Sequence, residues 1–354
     1  MKKHCLIILI MFISAYGIAQ QKEQAERLVN DGVALHDKGD YEGAIRLYNK
    51  ALELDKENVL AMAEKSLSLV SLQKYDECVA LCKKALEKHG DDKMAITIYI
   101  NYANALDAQG KSDKALEIYD QGIKQFPDAY HIRFEKGVCL AGVKRYSEAT
   151  LSFEAAVKLN PRHPGSHNGI ARLEVSANHR IPALLSLCRF LVLEPEGKRA
   201  SSNLEYVQAI MKGNAEKTGK KSVTVSVSPD MVDTSATAKA KPDNFSSTDL
   251  ILALDAALDY DKKFKKLSPT GQFLRKFNTL CASLAETKSK GHGFFWEYYA
   301  PYFIEMKEKN LTETFAYIIF SSSDDKEVSK WLKNNQGEVS RFYDWSKGFT
   351  WKTN

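Results

Sequence analysis

At 354 residues, with 44% apolar and 27% charged residues, the chain can bury the cores of two ordinary domains, and its composition excludes a wholly disordered polymer. Its formal charge of +5 is modest and argues against a nucleic-acid or anionic-membrane partner, which would require a concentrated basic stripe. The densest basic cluster, Lys262-Lys263-Phe264-Lys265-Lys266, falls at the end of a predicted helix, where cations complement the helix dipole.

Residues 1–19 read as a secretory signal. A basic start leads into an apolar run, and Gly17-Ile18-Ala19 offers a small-x-small cleavage site ahead of Gln20. The run from Cys5 to Ala19 is shorter than the roughly 20 residues a membrane span needs. The mature chain is therefore expected to be exported, with the periplasm, the envelope or secretion to the medium as its destination and no integral span. Beyond Cys5 stand Cys78, Cys82, Cys139, Cys188 and Cys281, an odd number spread thinly, which predicts buried thiols rather than a disulfide framework.

From residue 25 the chain repeats itself. Ala44, Cys78, Ala115, Ala149 and Ala183 are 34, 37, 34 and 34 residues apart, and Ala51, Ala85, Gly122, Ala156 and Phe190 keep the same intervals seven positions later. Tyr48, Cys82, Tyr119, Phe153 and Leu187 lie between them, and Pro127, Pro161 and Pro195 close repeats three to five. Within each copy apolar residues recur at helical spacing, as in Ala44, Leu47, Tyr48, Ala51 and Leu52. The pattern resembles the tetratricopeptide repeat, a pair of antiparallel helices. A single hairpin of this kind cannot bury its apolar face, so the resemblance implies an all-α superhelical solenoid of five repeats over residues 25–58, 59–92, 96–129, 130–163 and 164–197. The longer interval puts extra residues near His89-Gly90-Asp91-Asp92-Lys93. Repeat five departs from the pattern at Leu187, Phe190 and Pro182 and reads as a worn terminal copy, with residues 201–211 as its capping helix.

Between residues 212 and 244 the composition turns to Lys, Ser, Thr, Ala and Gly, and a flexible linker is expected. Residues 245–354 then hold all four tryptophans, so a separate helical C-terminal domain with its own core follows. Its aromatic run Phe294–Phe303 suits a buried helix kinked or restarted at Pro301, or else an amphipathic ligand or docking face built on Trp296, Tyr298, Tyr299 and Tyr302.

Neither a nucleophile elbow, a phosphate loop, an H-E-x-x-H pair nor a dinucleotide fingerprint occurs, so no catalytic residue or cofactor is assigned. His163 and His167 are four apart, but Pro164 and Gly165 intervene and no third ligand accompanies them, which argues against a metal site. In the family the resemblance points to, first helices line a concave groove. Transferred here, that groove is formed by Val29, Val33, Leu67, Ile100, Asn104, Phe134, Val138, Asn168 and Arg172. The family's carboxylate clamp is missing, because its places hold Val29, Val33, Glu64, Thr97 and Asn101. A mostly apolar groove suits a helix or hydrophobic peptide, supplied by a partner protein or by the chain's own linker or C-terminal domain. The expected function is that of an exported scaffold in an envelope assembly. The alternatives are an enzyme or small-ligand binder with its site among the C-terminal aromatics, and a structural adaptor whose two domains pack together permanently.

Overall fold

The computed structural model describes residues 2–219, 222–232, 235 and 241–353, leaving out the side chains of residues 2–18 and 230. Ten helices follow one another as the five expected repeats, two to each: α1 (Lys2–Asp37) and α2 (Tyr41–Leu54), α3 (Val59–Ser71) and α4 (Tyr75–His89), α5 (Ala95–Ala108) and α6 (Ser112–Gln125), α7 (Tyr130–Gly142) and α8 (Tyr146–Leu159), α9 (Pro164–Ser176) and α10 (Arg180–Leu193). The extra residues of the longer interval extend the turn between α4 and α5, where Ala95 N–H donates to the Asp92 carbonyl.

The turns inside the repeats share one geometry. Gly39, Gln73, Gly110, Lys144 and Asn178 all have left-handed φ, from 58° to 83°, and they keep the 34, 37, 34, 34 spacing of the repeat. After each of them an N–H reaches back five residues to close the helix end: Asp40 to Leu35, Lys74 to Leu69, Lys111 to Leu106, Arg145 to Leu140 and His179 to Glu174, all at 2.9 Å. This is the Schellman arrangement, which satisfies carbonyls that the helix itself leaves unpaired. Side-chain caps then start some of the next helices, with Asp40 accepting from Gly43 N–H at 2.8 Å and Asn58 from Ala61 N–H at 2.9 Å.

The small residues are small because rings and helices press on them. Ala44, Cys78, Ala115 and Ala149 are fully buried. A Cβ on Gly32 would stand 2.4 Å from the Tyr48 ring, and one on Gly169 would stand 2.8 Å from Phe153. All five cysteines beyond residue 18 are buried free thiols, and Sγ of Cys78 and Cys82 are 3.8 Å apart, far beyond a disulfide bond of about 2.05 Å.

Two expectations about organisation need correction. The chain divides into compact units at Met1–Ser152 and Phe153–Asn354, within α8, rather than at residues 212–244. Repeat five and the following helix α11 (Lys198–Lys212) thus share a unit with the C-terminal helices, which do not form a separate domain. The reason is visible in α10, where every residue from Ile181 to Val192 is buried. A two-layer repeat covers only one side of such a helix, so an all-round apolar helix needs further layers, and α13 (Ser246–Ala256) and α17 (Thr312–Ile319) supply contacts to it.

The expected linker is also not structureless where it is described. Strands β1 (Ala215–Lys217) and β2 (Val223–Val225) pair antiparallel, with Ala215 opposite Val225, and α12 (Pro229–Val232) follows. Ala215 and Met231 are buried, and Tyr260 donates its hydroxyl to the Ala215 carbonyl at 2.9 Å. Residues 220, 221, 233, 234 and 236–240 of that stretch lie outside the described residues. The remaining helices are α14 (Pro269–Thr287), α15 (Phe294–Tyr298), α16 (Ala300–Glu308), α18 (Lys326–Asn334) and α19 (Gln336–Gly348). The aromatic run does restart at the proline, since α15 ends at Tyr298 and α16 carries Pro301 in its first turn. Among the described residues no helix is long and apolar enough to cross a membrane.

Candidate interaction groove and the buried aromatic core

In the first unit α1, α3, α5 and α7 stand side by side, and the groove positions recur at two phases, four residues apart on one helix face. Their exposure grades along the array. Val29 is fully buried in a cluster with Ala25, Ala44, Tyr48 and Ala51, and Val33 leans on the same cluster. Val29 is therefore core, not groove, because the ring of Tyr48 fills the space that Gly32 leaves open. Leu67, Ile100 and Phe134 are half-buried, and Val138 is 46% exposed. Asn104 Oδ1 accepts a hydrogen bond from the Tyr119 hydroxyl, a bond within the repeat core. Asn101 is likewise structural: buried, it donates to Ser66 Oγ at 2.8 Å.

Two acids that adjoin these positions are partly buried. Burial pushes the carboxyls of Glu64 and Glu135 above their ordinary value, with His36 opposing the shift at Glu64 and an Asn104 hydrogen bond opposing it at Glu135. Burial also lowers the Lys65 ammonium. A surface with apolar side chains and half-buried, charge-averse neighbours favours an apolar occupant over a highly charged one.

Asn168 and Arg172 belong to the second unit and are engaged there. Asn203 of α11 donates to Asn168 Oδ1 at 2.8 Å, and the Arg172 guanidinium lies 5.2 Å from the Tyr206 ring centre. Both are held by the capping helix.

The aromatic face expected at Trp296, Tyr298, Tyr299 and Tyr302 is core. These residues are 4%, 1%, 0% and 0% exposed, so they do not form the solvent-facing ligand surface expected of them. Their polar ends are taken up inside the unit. Tyr298 donates to the Val157 carbonyl at 2.7 Å, Trp296 Nε1 donates to the Asn244 carbonyl at 3.1 Å, and Tyr302 shares a hydrogen with Ser346 Oγ at 2.8 Å. Repeat five meets them through two polar side chains. His167 Nε2 lies 3.0 Å from the Pro161 carbonyl, which can only accept, so Nε2 carries the proton and Nδ1 accepts from the Tyr299 hydroxyl at 2.7 Å. Burial, and next the charge of Arg189, push the His167 imidazole down to about 3.

Arg189, 1% exposed, had no place in the sequence reading of the site. It donates to Tyr302 Oη at 3.2 Å, Ser346 Oγ at 3.0 Å and the Pro161 carbonyl at 3.2 Å, and it lies 5.0 and 4.9 Å from the ring centres of Tyr302 and Trp351. The available signal was a single arginine inside the apolar stretch LLSLCRFLVL. Among the described residues no group of His, Cys, Asp or Glu side chains is arranged to hold a metal ion.

Comparison with known proteins agrees with the repeat geometry. Residues 32–62 and 102–176 match the tetratricopeptide-repeat family. The chain is 32% identical over 124 residues to the STIP1 homolog of Dictyostelium discoideum, covering 34% of this chain and 22% of that protein. It is 25% identical over 215 residues to Hsp70-Hsp90 organizing protein 1 of Glycine max, covering 51% and 38%. The chain thus matches 22% and 38% of the length of these two relatives. Among solved structures, a thermophilic repeat protein of Thermus thermophilus aligns over 53% of this chain and 99% of its own, with 18% identity and a TM-score of 0.45.

Proposed function

This chain is a tetratricopeptide-repeat protein, and from that premise we propose that it acts as an exported protein–protein interaction scaffold, holding an apolar helix or peptide of a partner along α3, α5 and α7. The observation that carries the reading is the partial exposure of Leu67, Ile100, Phe134 and Val138 at two repeat positions, four residues apart on one face of successive first helices, beside acids whose charge burial disfavours. The organizing proteins among the relatives are named for Hsp70 and Hsp90. The clamp positions here hold Val29, Val33, Glu64, Thr97 and Asn101, so a carboxylate-terminated tail is not the occupant we assign. Export and an envelope location rest on the basic start, the short apolar run and Gly17-Ile18-Ala19.

The test is affinity capture from an envelope extract with the full-length protein produced in an exporting host. Val138→Glu places a charge on an already exposed position and should cut capture by about tenfold or more, on the scale of a lost interface anchor, with the melting temperature unchanged. Leu151→Glu, at an apolar position 64% exposed on α8 and outside the groove, should capture normally. The recovered bait should begin at or near Gln20. Equal capture by Val138→Glu would refute the groove, and retention of Met1 with stable membrane association would refute export.

A further inference from the structure

The second unit contains a cavity of about 180 Å³ between α10, the Pro161 turn and α19, remote from the groove in sequence and chemistry. Its lining includes Arg162, Arg189 and Lys347, together with the hydroxyl-bearing Tyr343 and Ser346, and no carboxylate. Three cations around one small space repel one another, and among the described residues none of them forms an ion pair. Arg189 is the decisive member. It is 1% exposed, its bonds go only to two hydroxyls and a carbonyl, and its buried Nε–H meets no acceptor. A guanidinium held this way has its fork oriented by Tyr302, Ser346 and Pro161, and among the described residues no carboxylate pairs with it.

We propose that this cavity is a binding site for a phosphate-type oxyanion, with Arg189 as its buried donor, Arg162 and Lys347 as cations at its mouth, and the Ser346 and Tyr343 hydroxyls completing the shell. A dianion is favoured over a carboxylate because three positive charges line the space and no carboxylate does, Glu196 acting on Tyr343 from outside the lining. The volume, about six times a water's share of liquid at roughly 30 Å³, accommodates a phosphate group with a small ester substituent. Burial pushes the Tyr343 hydroxyl up to about 12, aided by Tyr302 and Glu196, so it keeps its proton and donates.

The experiment is calorimetric titration of the full chain with sodium phosphate, phosphoserine and sodium acetate at fixed ionic strength in chloride. Saturable phosphate binding at one site per chain is expected, with acetate at least about tenfold weaker for want of the second charge. Phosphoserine binding as tightly as phosphate identifies an esterified ligand, and phosphate alone identifies the free ion. Arg162→Ala and Lys347→Ala, both at exposed positions, should each weaken phosphate binding by about tenfold while leaving the phosphate-free melting temperature unchanged. No saturable heat with phosphate, acetate binding as tight as phosphate, or unchanged binding in both alanine variants would each overturn the proposal.

Discussion

His167 shows how one buried side chain ties stability to pH. Its ordinary value is 6.5, and burial beside Arg189 lowers it to about 3 in the folded protein. Between those values the unfolded chain binds a proton that the folded one refuses, so stability from this group is full above 6.5 and is lost as pH falls. From pH 7 to pH 5 the loss amounts to about 2 kcal/mol. Carboxyls raised by burial act with the opposite sign, among them Glu154, pushed up to about 7, and Asp249. The net slope of the native protein is a sum, and a variant is needed to isolate the histidine. His167→Gln can donate to Pro161 and accept from Tyr299 without titrating. Denaturant unfolding at pH 7 and pH 5 should show the variant losing about 2 kcal/mol less than the native chain over that interval. Equal losses would mean that the imidazole is solvated or charged in the fold.

Among the elements, the helix ends are where sequence and geometry separate. The repeat interval locates every turn, but only Gly39 and Gly110 announce a left-handed residue, while Gln73, Lys144 and Asn178 adopt the same φ without glycine. The Schellman hydrogen bonds and the packed helix pair on either side hold them there at a conformational cost of about 1 kcal/mol or more for Lys144 and Gln73. Lys144→Gly should therefore stabilise the protein by about 0.5 kcal/mol, the relief of strain exceeding the entropy of the added glycine. Gly110→Ala should destabilise it by about 1 kcal/mol, although a Cβ there meets no atom within 4 Å, because the penalty lies in the backbone alone. Urea midpoints of the two variants, moving in opposite directions, are the check; a shift of the same sign in both would show that side-chain contacts dominate the turn.

For the molecule as a whole, the division at Ser152 and Phe153 makes residues 153–211 dependent on the chain that follows them. Leu184, Leu187, Phe190 and Leu191 are fully buried on a helix with no polar side, and Arg189 is held by Tyr302 and Ser346. Truncation after residue 211 removes α13, α17 and α19 and uncovers part of that surface, at about 1.5–3 kcal/mol for each large apolar side chain left in water. Residues 20–211 should consequently melt well below residues 20–354 and bind a hydrophobic dye in the native buffer. Identical melting of the two would restore the repeat array as a self-sufficient domain.

The sequence by itself determined the features that rest on local period. Small residues at intervals of 34 or 37 positions and the longer turn after His89 follow from spacing that two helices must satisfy to touch, and they could be read residue by residue. The groove was legible in phase only. Whether Val29 faces solvent or lies under Tyr48 depends on which ring fills the gap between helices, and that is a contact, not a period. Tertiary structure alone decided the fate of the second half. Phe190 and Leu187, which looked like wear in a last repeat, are buried features of α10. The tyrosines that could have formed a ligand face close over His167 and Arg189 instead, because an apolar helix and an aromatic run distant in sequence remove the most surface from water by covering each other.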